Sequence, residues 1–149
     1  MRSPDRERPS LYTIGEAARW LGVSVATIRL YEREGLVIPV RKPSGHRLFS
    51  ETDIQRLHCI RETITTDKVS IAGLRRMLAL IPCWTIKNCP PAERDACPAF
   101  RHHTTPCWSL PDRKWDCADS DCRTCRVYCS IADCGGLKEM IINLTTKSS

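Results

Sequence analysis

Nine of the ten cysteines in this chain crowd between Cys83 and Cys134, and thiols at that density are the residues best able to do chemistry. Cys117, Cys122, Cys125, Cys129 and Cys134 fall within eighteen residues, with Cys83, Cys89, Cys97 and Cys107 upstream of them. Closely spaced thiolates of this kind can hold Zn2+ tetrahedrally or an iron-sulfur cluster through four sulfurs. All nine are therefore candidate metal ligands, with zinc and iron-sulfur both open and disulfide switching a third option. Covalent haem is not expected, because no Cys-x-x-Cys-His occurs. His102 and His103 could serve as zinc ligands, although a polar loop pair is the commoner explanation. The tenth cysteine, Cys59, sits in a helical pattern and reads as a small buried hydrophobe.

The block repeats internally. Cys83-Trp84 recurs as Cys107-Trp108, Cys89 and Cys97 are spaced like Cys117 and Cys125, and Cys97-Pro98-Ala99-Phe100 matches Cys125-Arg126-Val127-Tyr128. Repetition of cysteines together with aromatics marks a built unit rather than a linker. It resembles cysteine-tryptophan repeat segments appended to bacterial regulatory proteins, a resemblance that carries no assigned chemistry. Pro82, Pro90, Pro91 and Pro98 exclude a long helix here. Trp84, Trp108, Trp115, Phe100 and Tyr128 supply the little apolar cover available, so helix-poor loops stapled by metal or disulfides are expected.

The elements that must position this block lie ahead of it, from Tyr12 to Phe49. Thr13 can cap a helix whose apolar residues Ile14, Ala17, Ala18 and Leu21 follow a 3.6-residue period, and Gly22 stops it. Ser24 can cap a second helix that turns Val25, Ile28 and Tyr31 inward, and Gly35 closes that one. Two short helices joined this tightly can seat the second in a DNA major groove. The apolar run from Leu36 to Val40, the basic stretch Arg41, Lys42, Pro43, Ser44, Gly45, His46, Arg47, and then Leu48-Phe49 predict a hairpin wing turning at Ser44-Gly45. Its cations fall where a wing beside a recognition helix meets phosphates. Net charge agrees: most of the +6 excess sits in the first 82 residues, where fourteen basic residues face nine acidic ones, and this points to a polyanionic partner.

These motifs in order, Tyr12-Thr13-Ile14-Gly15-Glu16-Ala17-Ala18, Gly22-Val23-Ser24, Thr27-Ile28-Arg29, Tyr31-Glu32, Gly35-Leu36 and Gly45-His46-Arg47-Leu48-Phe49-Ser50, resemble the winged-helix domain of the mercury-resistance regulator (MerR) family over about half the chain. The resemblance implies a second helix that reads the major groove of double-stranded promoter DNA, with wings on the backbone. It implies that Thr27, Arg29 and Tyr31 lie at the DNA face or support it, and that Arg19, Arg41 and Arg47 approach phosphates; Ser24, Lys42 and His46 complete the candidate interface. It also implies a homodimer on a two-fold operator, and RNA polymerase as a further partner at the promoter. Leu30 departs from the family pattern, where many members carry a tyrosine. With Val69 to Met77, the pattern is more similar to the heat-shock and nitrogen-control repressor branches than to the metal-responsive one. Family members usually continue into a long dimerising helix, which Pro82 interrupts here. Neither the redox-sensing iron-sulfur member nor the mercury-binding branch has cysteine spacing that superimposes on this block.

Downstream of the wing, Ser50 and Asp53 form a capping-box-like start for a third helix with Ile54, Leu57, Ile60 or Arg61, and Ile64 inward. After a break at Thr66-Asp67-Lys68, a fourth helix carries Ile71, Leu74, Met77, Leu78 and Ile81. Leu137, Met140, Ile141 and Leu144 predict a last short helix. The expected fold class is thus mainly α: a flexible arm (1–10), a winged helix-turn-helix domain (11–82), a small irregular cysteine-rich, metal-stapled module (83–134), then a helix and tail (135–149). No membrane span or secretory segment is expected, which places the chain in the cytoplasm. The leading expectation is a regulator whose DNA binding or promoter geometry responds to a cysteine-bound metal or iron-sulfur centre. The alternative is a regulator whose block is a structural zinc or protein-interaction module. A thiol enzyme is not expected: Cys122 and Cys125 lack both a βαβ setting and a paired base.

Overall fold

A computed structural model describes residues 11–111, 121–129 and 135–146. The chain begins with a strand that sequence periodicity missed, β1 (Leu11–Thr13), and runs directly into α1 (Ile14–Leu21). Thr13 and Glu16 form a reciprocal capping box, which lowers the Glu16 carboxyl pKa through its bonds to the Thr13 backbone and hydroxyl. Helix α2 (Val25–Arg33) starts on Ser24, whose side chain accepts from the Thr27 amide.

The wing is shorter than its sequence suggests. Its strands are β2 (Val40–Arg41) and β3 (Arg47–Ser50), because the run from Leu36 to Pro39 is spent on burial rather than pairing: Leu36 and Val37 enter the core. Gly45 takes a left-handed φ of 89° at the tip, where its amide donates to the Lys42 carbonyl at 2.8 Å. Strand β1 adds on the far side of β3, giving an antiparallel sheet in the order β1-β3-β2 with Tyr12 opposite Phe49.

Helices α3 (Glu51–Thr65) and α4 (Ile71–Ala79) close the front half, each started by a serine cap. Ser50 and Asp53 do form a capping box, with aspartate in the glutamate role.

In its described residues the cysteine block is irregular but more helical than the helix-poor loops expected, a series of short helical turns. These are α5 (Cys83–Ile86), α6 (Pro91–Ala96), α7 (Pro98–Arg101), 3-10 turns at Cys107–Ser109 and Cys122–Thr124, and α8 (Arg126–Cys129). The prolines that forbid a long helix start these short ones, at the first turn, where a missing N–H costs nothing. The repeat is real in three dimensions. Each Cys-Trp pair opens a turn, and each tryptophan meets the aromatic of its own copy edge-on: Trp84 against Phe100 at 5.0 Å and 89°, Trp108 against Tyr128 at 5.2 Å and 83°. A guanidinium caps each aromatic in turn, Arg94 over Phe100 at 4.9 Å and Arg56 over Tyr128 at 3.6 Å.

The block solves its shortage of aliphatic residues by sharing a core. Cys83, Ala99, Trp108, Val127 and Tyr128 are buried in one continuous cluster with Ala17, Ile28, Leu36, Phe49, Leu57 and Leu78. A final helix, α9 (Gly136–Thr146), forms where its periodicity predicts. Trp115, Cys117 and Cys134, like residues 1–10, lie outside the described residues. No described helix is long and apolar enough to cross a membrane.

Candidate nucleic-acid interface and the thiol module behind it

Alternation of buried and exposed positions on α2 decides what it can offer a ligand. Ile28 and Tyr31 turn into the core, which leaves Arg29 and Arg33 exposed, with Thr27 partly so. Tyr31 is 4% exposed, so it can act only by supporting the face from beneath. The Ser24 and Thr27 hydroxyls lie 2.9 Å apart at the start of the helix. Arg19 is exposed on α1, as are Arg41, Lys42 and His46 on the wing, where the His46 Nδ1 is 3.0 Å from the Ser44 hydroxyl.

Two of the wing cations are already engaged. Arg41 pairs with one Glu32 carboxylate oxygen at 2.9 Å and Arg47 with the other, so a single acid on α2 fixes the wing to the helix. Sequence reasoning missed Glu32, because nothing in its spacing distinguishes it from a solvated charge.

The segment joining α2 to the wing, Gly35 to Ile38, is held by the second repeat copy. Trp108 donates its indole N–H to the Gly35 carbonyl at 2.6 Å, the Ile38 amide donates to the Tyr128 hydroxyl at 2.8 Å, and Arg123 donates to the Ile38 carbonyl. Gly35 itself has φ 76°, and a Cβ there would run into the Ser109 side chain. Beneath this contact, Arg123 pairs at 3.0 Å with Asp53, which is 2% exposed, and the Arg56 guanidinium donates to the Tyr128 carbonyl. Burial lowers the Arg56 pKa, opposed by Tyr128 and Asp53; burial raises that of the Tyr128 phenol, opposed by Arg56. Arg75 of α4 bridges Glu34 at 3.2 Å and the Thr105 hydroxyl at 3.2 Å, adding a second link from α2 to the block.

The described cysteines do not assemble as a metal centre. Among the described residues, no three cysteine, histidine or acidic side chains converge on one point, so the four-sulfur site expected from their spacing is not formed by them. The Cys107 side chain lowers the Cys83 pKa against the raising effect of burial. Cys89, Cys97, Cys122 and Cys125 are partly buried, and exposed Cys129 donates to the Arg123 carbonyl at 3.0 Å. Burial of its thiol raises the Cys129 pKa, with Arg56 opposing. These seven described cysteines are not in disulfides. Cys59 corrects its sequence reading: it is disulfide-bonded and half-buried, lining a cleft with Trp20, Ile54 and His58, while Arg56, Leu57 and Ile60 take the core positions of α3.

Residues 12–81 match the family model described as MerR HTH family regulatory protein. Among curated relatives, a probable heavy metal-dependent transcriptional regulator of Haemophilus influenzae is 43% identical over 68 residues, covering 45% of this chain and 52% of that one. The transcriptional regulators MlrA and ZntR of Escherichia coli are each 37% identical over 71 residues, covering 47% of this chain and 29% and 50% of theirs. The chain thus spans about half, or less, of the length of the curated relatives it matches. A solved structure of HiNmlR, a MerR family regulator lacking the sensor domain and bound to promoter DNA, is 34% identical, covering 38% of this chain and 44% of that one with a TM-score of 0.37.

Proposed function

We propose that the chain, whose residues 12–81 match the model of the MerR HTH family regulatory proteins, is a transcriptional regulator of that family that lays α2 in the major groove of promoter DNA, and that its thiol module sets the wing in response to its own chemical state. Arg29 and Thr27 would face base edges, while Arg19, Lys42 and His46 would meet phosphates, with Arg41 and Arg47 oriented through Glu32. Two-fold operators make a homodimer the natural binding unit, with RNA polymerase the neighbour at the promoter.

The observation that carries the reading is the grip of Trp108, Tyr128 and Arg123 on Gly35 and Ile38. Those residues join α2 to the wing, so a shift of the module would reach the parts that would touch DNA. The relative described as a probable heavy metal-dependent transcriptional regulator supports a metal centre, zinc or iron-sulfur, as the ligand of the thiols. Among the described residues no three cysteine, histidine or acidic side chains are placed to hold a metal ion, and the hydrogen bonds to Gly35 and Ile38 form without one.

A second reading, favoured by the shared core, makes the module a fixed buttress of the wing. The deciding experiment measures binding of the full chain to duplexes selected from a randomised pool, with thiols reduced, oxidised or metal-loaded. Arg29→Ala should lose about 1–3 kcal/mol and relax specificity, and Lys42→Ala should lower the salt slope by about 1. Equal affinity and equal promoter output in all thiol states would favour the buttress; failure to select any duplex at low salt would end both readings.

A further inference from the structure

Between the end of α1 and α3 lies a cleft of about 580 Å3, lined by Trp20, by Ile54, Gln55 and His58, and by Gly135 from the segment before α9. Small organic ligands ordinarily occupy clefts of about 300–1,000 Å3, so the volume suits one. Trp20 is the one aromatic residue of α1, and it is 70% exposed. Tyr12 meets its ring edge-on at 6.3 Å and 64°, which steadies the indole while leaving most of its surface open. A steadied aromatic face beside a cleft is a platform on which a flat ring can stack.

The α3 side of the cleft is acidic. Glu51, Gln55, His58 and Glu62 follow one another at spacings of four, three and four, which puts them on one stripe of the helix, and the two middle members line the cleft. Glu51 accepts a hydrogen bond from the Tyr12 hydroxyl at 3.5 Å, which sets it beside the Tyr12–Trp20 pair. Glu62 lies 3.5 Å from the His58 Nε2. Each end of the stripe therefore carries a carboxylate. Arg19 and Arg61 adjoin Trp20 and Glu62 in sequence, but each sits about 100° round its helix from that neighbour, so neither continues the aromatic platform or the acidic stripe.

We propose that this cleft binds a planar aromatic cation, stacked on Trp20 with its positive charge turned toward the carboxylates of the α3 stripe. A tryptophan face attracts a cation more strongly than any other side-chain ring does, and the two glutamates add the same preference by direct attraction. A neutral ring of the same outline keeps the stacking and forfeits the charge. An anion meets repulsion. The residues that carry the inference, Trp20, Glu51 and Glu62, are separate from those assigned to DNA, so the site stands whether or not α2 reads a promoter.

The test titrates the full chain, purified free of nucleic acid, at neutral pH with three acridines of similar outline: cationic 9-aminoacridine, neutral acridine and anionic acridine-9-carboxylate. Calorimetry reads binding. The cation should bind one per chain and about tenfold tighter than acridine, and the carboxylate should not bind. Trp20→Ala should abolish binding of the cation, and because the side chain is exposed the variant should unfold at the wild-type denaturant midpoint. Glu51→Gln combined with Glu62→Gln should bring the cation down to the affinity of acridine while leaving acridine itself unchanged, a result that a misfolded variant cannot give. Equal binding of the cation and the neutral ring, or full affinity in Trp20→Ala, would overturn the inference. So would a chain that binds none of the three; if Trp20→Ala then converted a dimer to a monomer in sedimentation, the indole would belong to a contact with a second copy of the chain.

Discussion

Trp108 and Gly35, 73 positions apart, are joined by a hydrogen bond of 2.6 Å from the indole N–H to the backbone carbonyl. The bond ties the second residue beyond α2 to the second cysteine-tryptophan copy, and it gives the proposed coupling between thiols and DNA a single checkable contact. Trp108→Phe keeps an aromatic ring against Tyr128 while removing the indole donor and part of the buried ring volume. The loss should be about 1–2 kcal/mol of stability, read from denaturant unfolding. DNA binding should become less sensitive to thiol oxidation; full sensitivity in this variant would place the coupling elsewhere.

Gly35 faces two demands, a left-handed backbone and contact with Ser109. Gly35→Ala should therefore cost about 1–3 kcal/mol. Adding Ser109→Gly relieves the contact but not the backbone strain, so the double variant should recover part of the loss. Full recovery would show that φ is unimportant there.

Glu32 holds Arg41 and Arg47 on opposite oxygens of one carboxylate. Glu32→Gln should free both guanidiniums for phosphate. The expected result is stronger non-specific DNA binding, with a salt slope steeper by about 1–2, and weaker discrimination between sequences because the wing is no longer fixed to the helix. An unchanged slope in a salt titration would mean that the arginines stay away from DNA.

Asp53 is almost fully buried and its charge partner is Arg123, a residue of the cysteine block. Arg123→Met strands that carboxylate and should cost about 3 kcal/mol. Pairing it with Asp53→Asn should cost less than the sum of the single changes. Additive losses in that double-mutant cycle would deny the link.

Cys129 has its thiol pKa raised above the usual 9.0, mainly by burial. The folded chain thus binds this proton more tightly than the unfolded chain. Its contribution to stability is present below the unfolded pKa and declines as pH rises through the folded one. Iodoacetamide should accordingly modify Cys129 more slowly at neutral pH than an ordinary exposed cysteine, with its midpoint at higher pH. Fast modification at neutral pH would contradict the burial argument.

The front half was legible because its signals are local. Thr13, Ser24 and Ser50 are caps readable from a few neighbours, and the apolar periods of α1 to α4 need only one turn of context. Strand β1 was not legible: three residues carry no period, and pairing with β3 alone defines them. The repeat in the cysteine block was visible as spacing, and edge-on aromatic pairs fall at matching places in its two copies. The core it shares with the front half was not visible, since spacing along the chain says nothing about what a short turn packs against. Arg123, Asp53 and Glu32 escaped for a related reason: a buried or shared charge is identified by its partner, and these partners are 70, 70 and up to 15 residues away.

The common core also bears on how this chain can be cut. A fragment ending at Pro82, where the pattern of the sequence changes, would strip the cover contributed by Trp108, Val127 and Tyr128 from Leu36, Leu57 and their neighbours. Trimming there would bare a greasy flank, and such a fragment should self-associate rather than remain a well-behaved miniature of the parent.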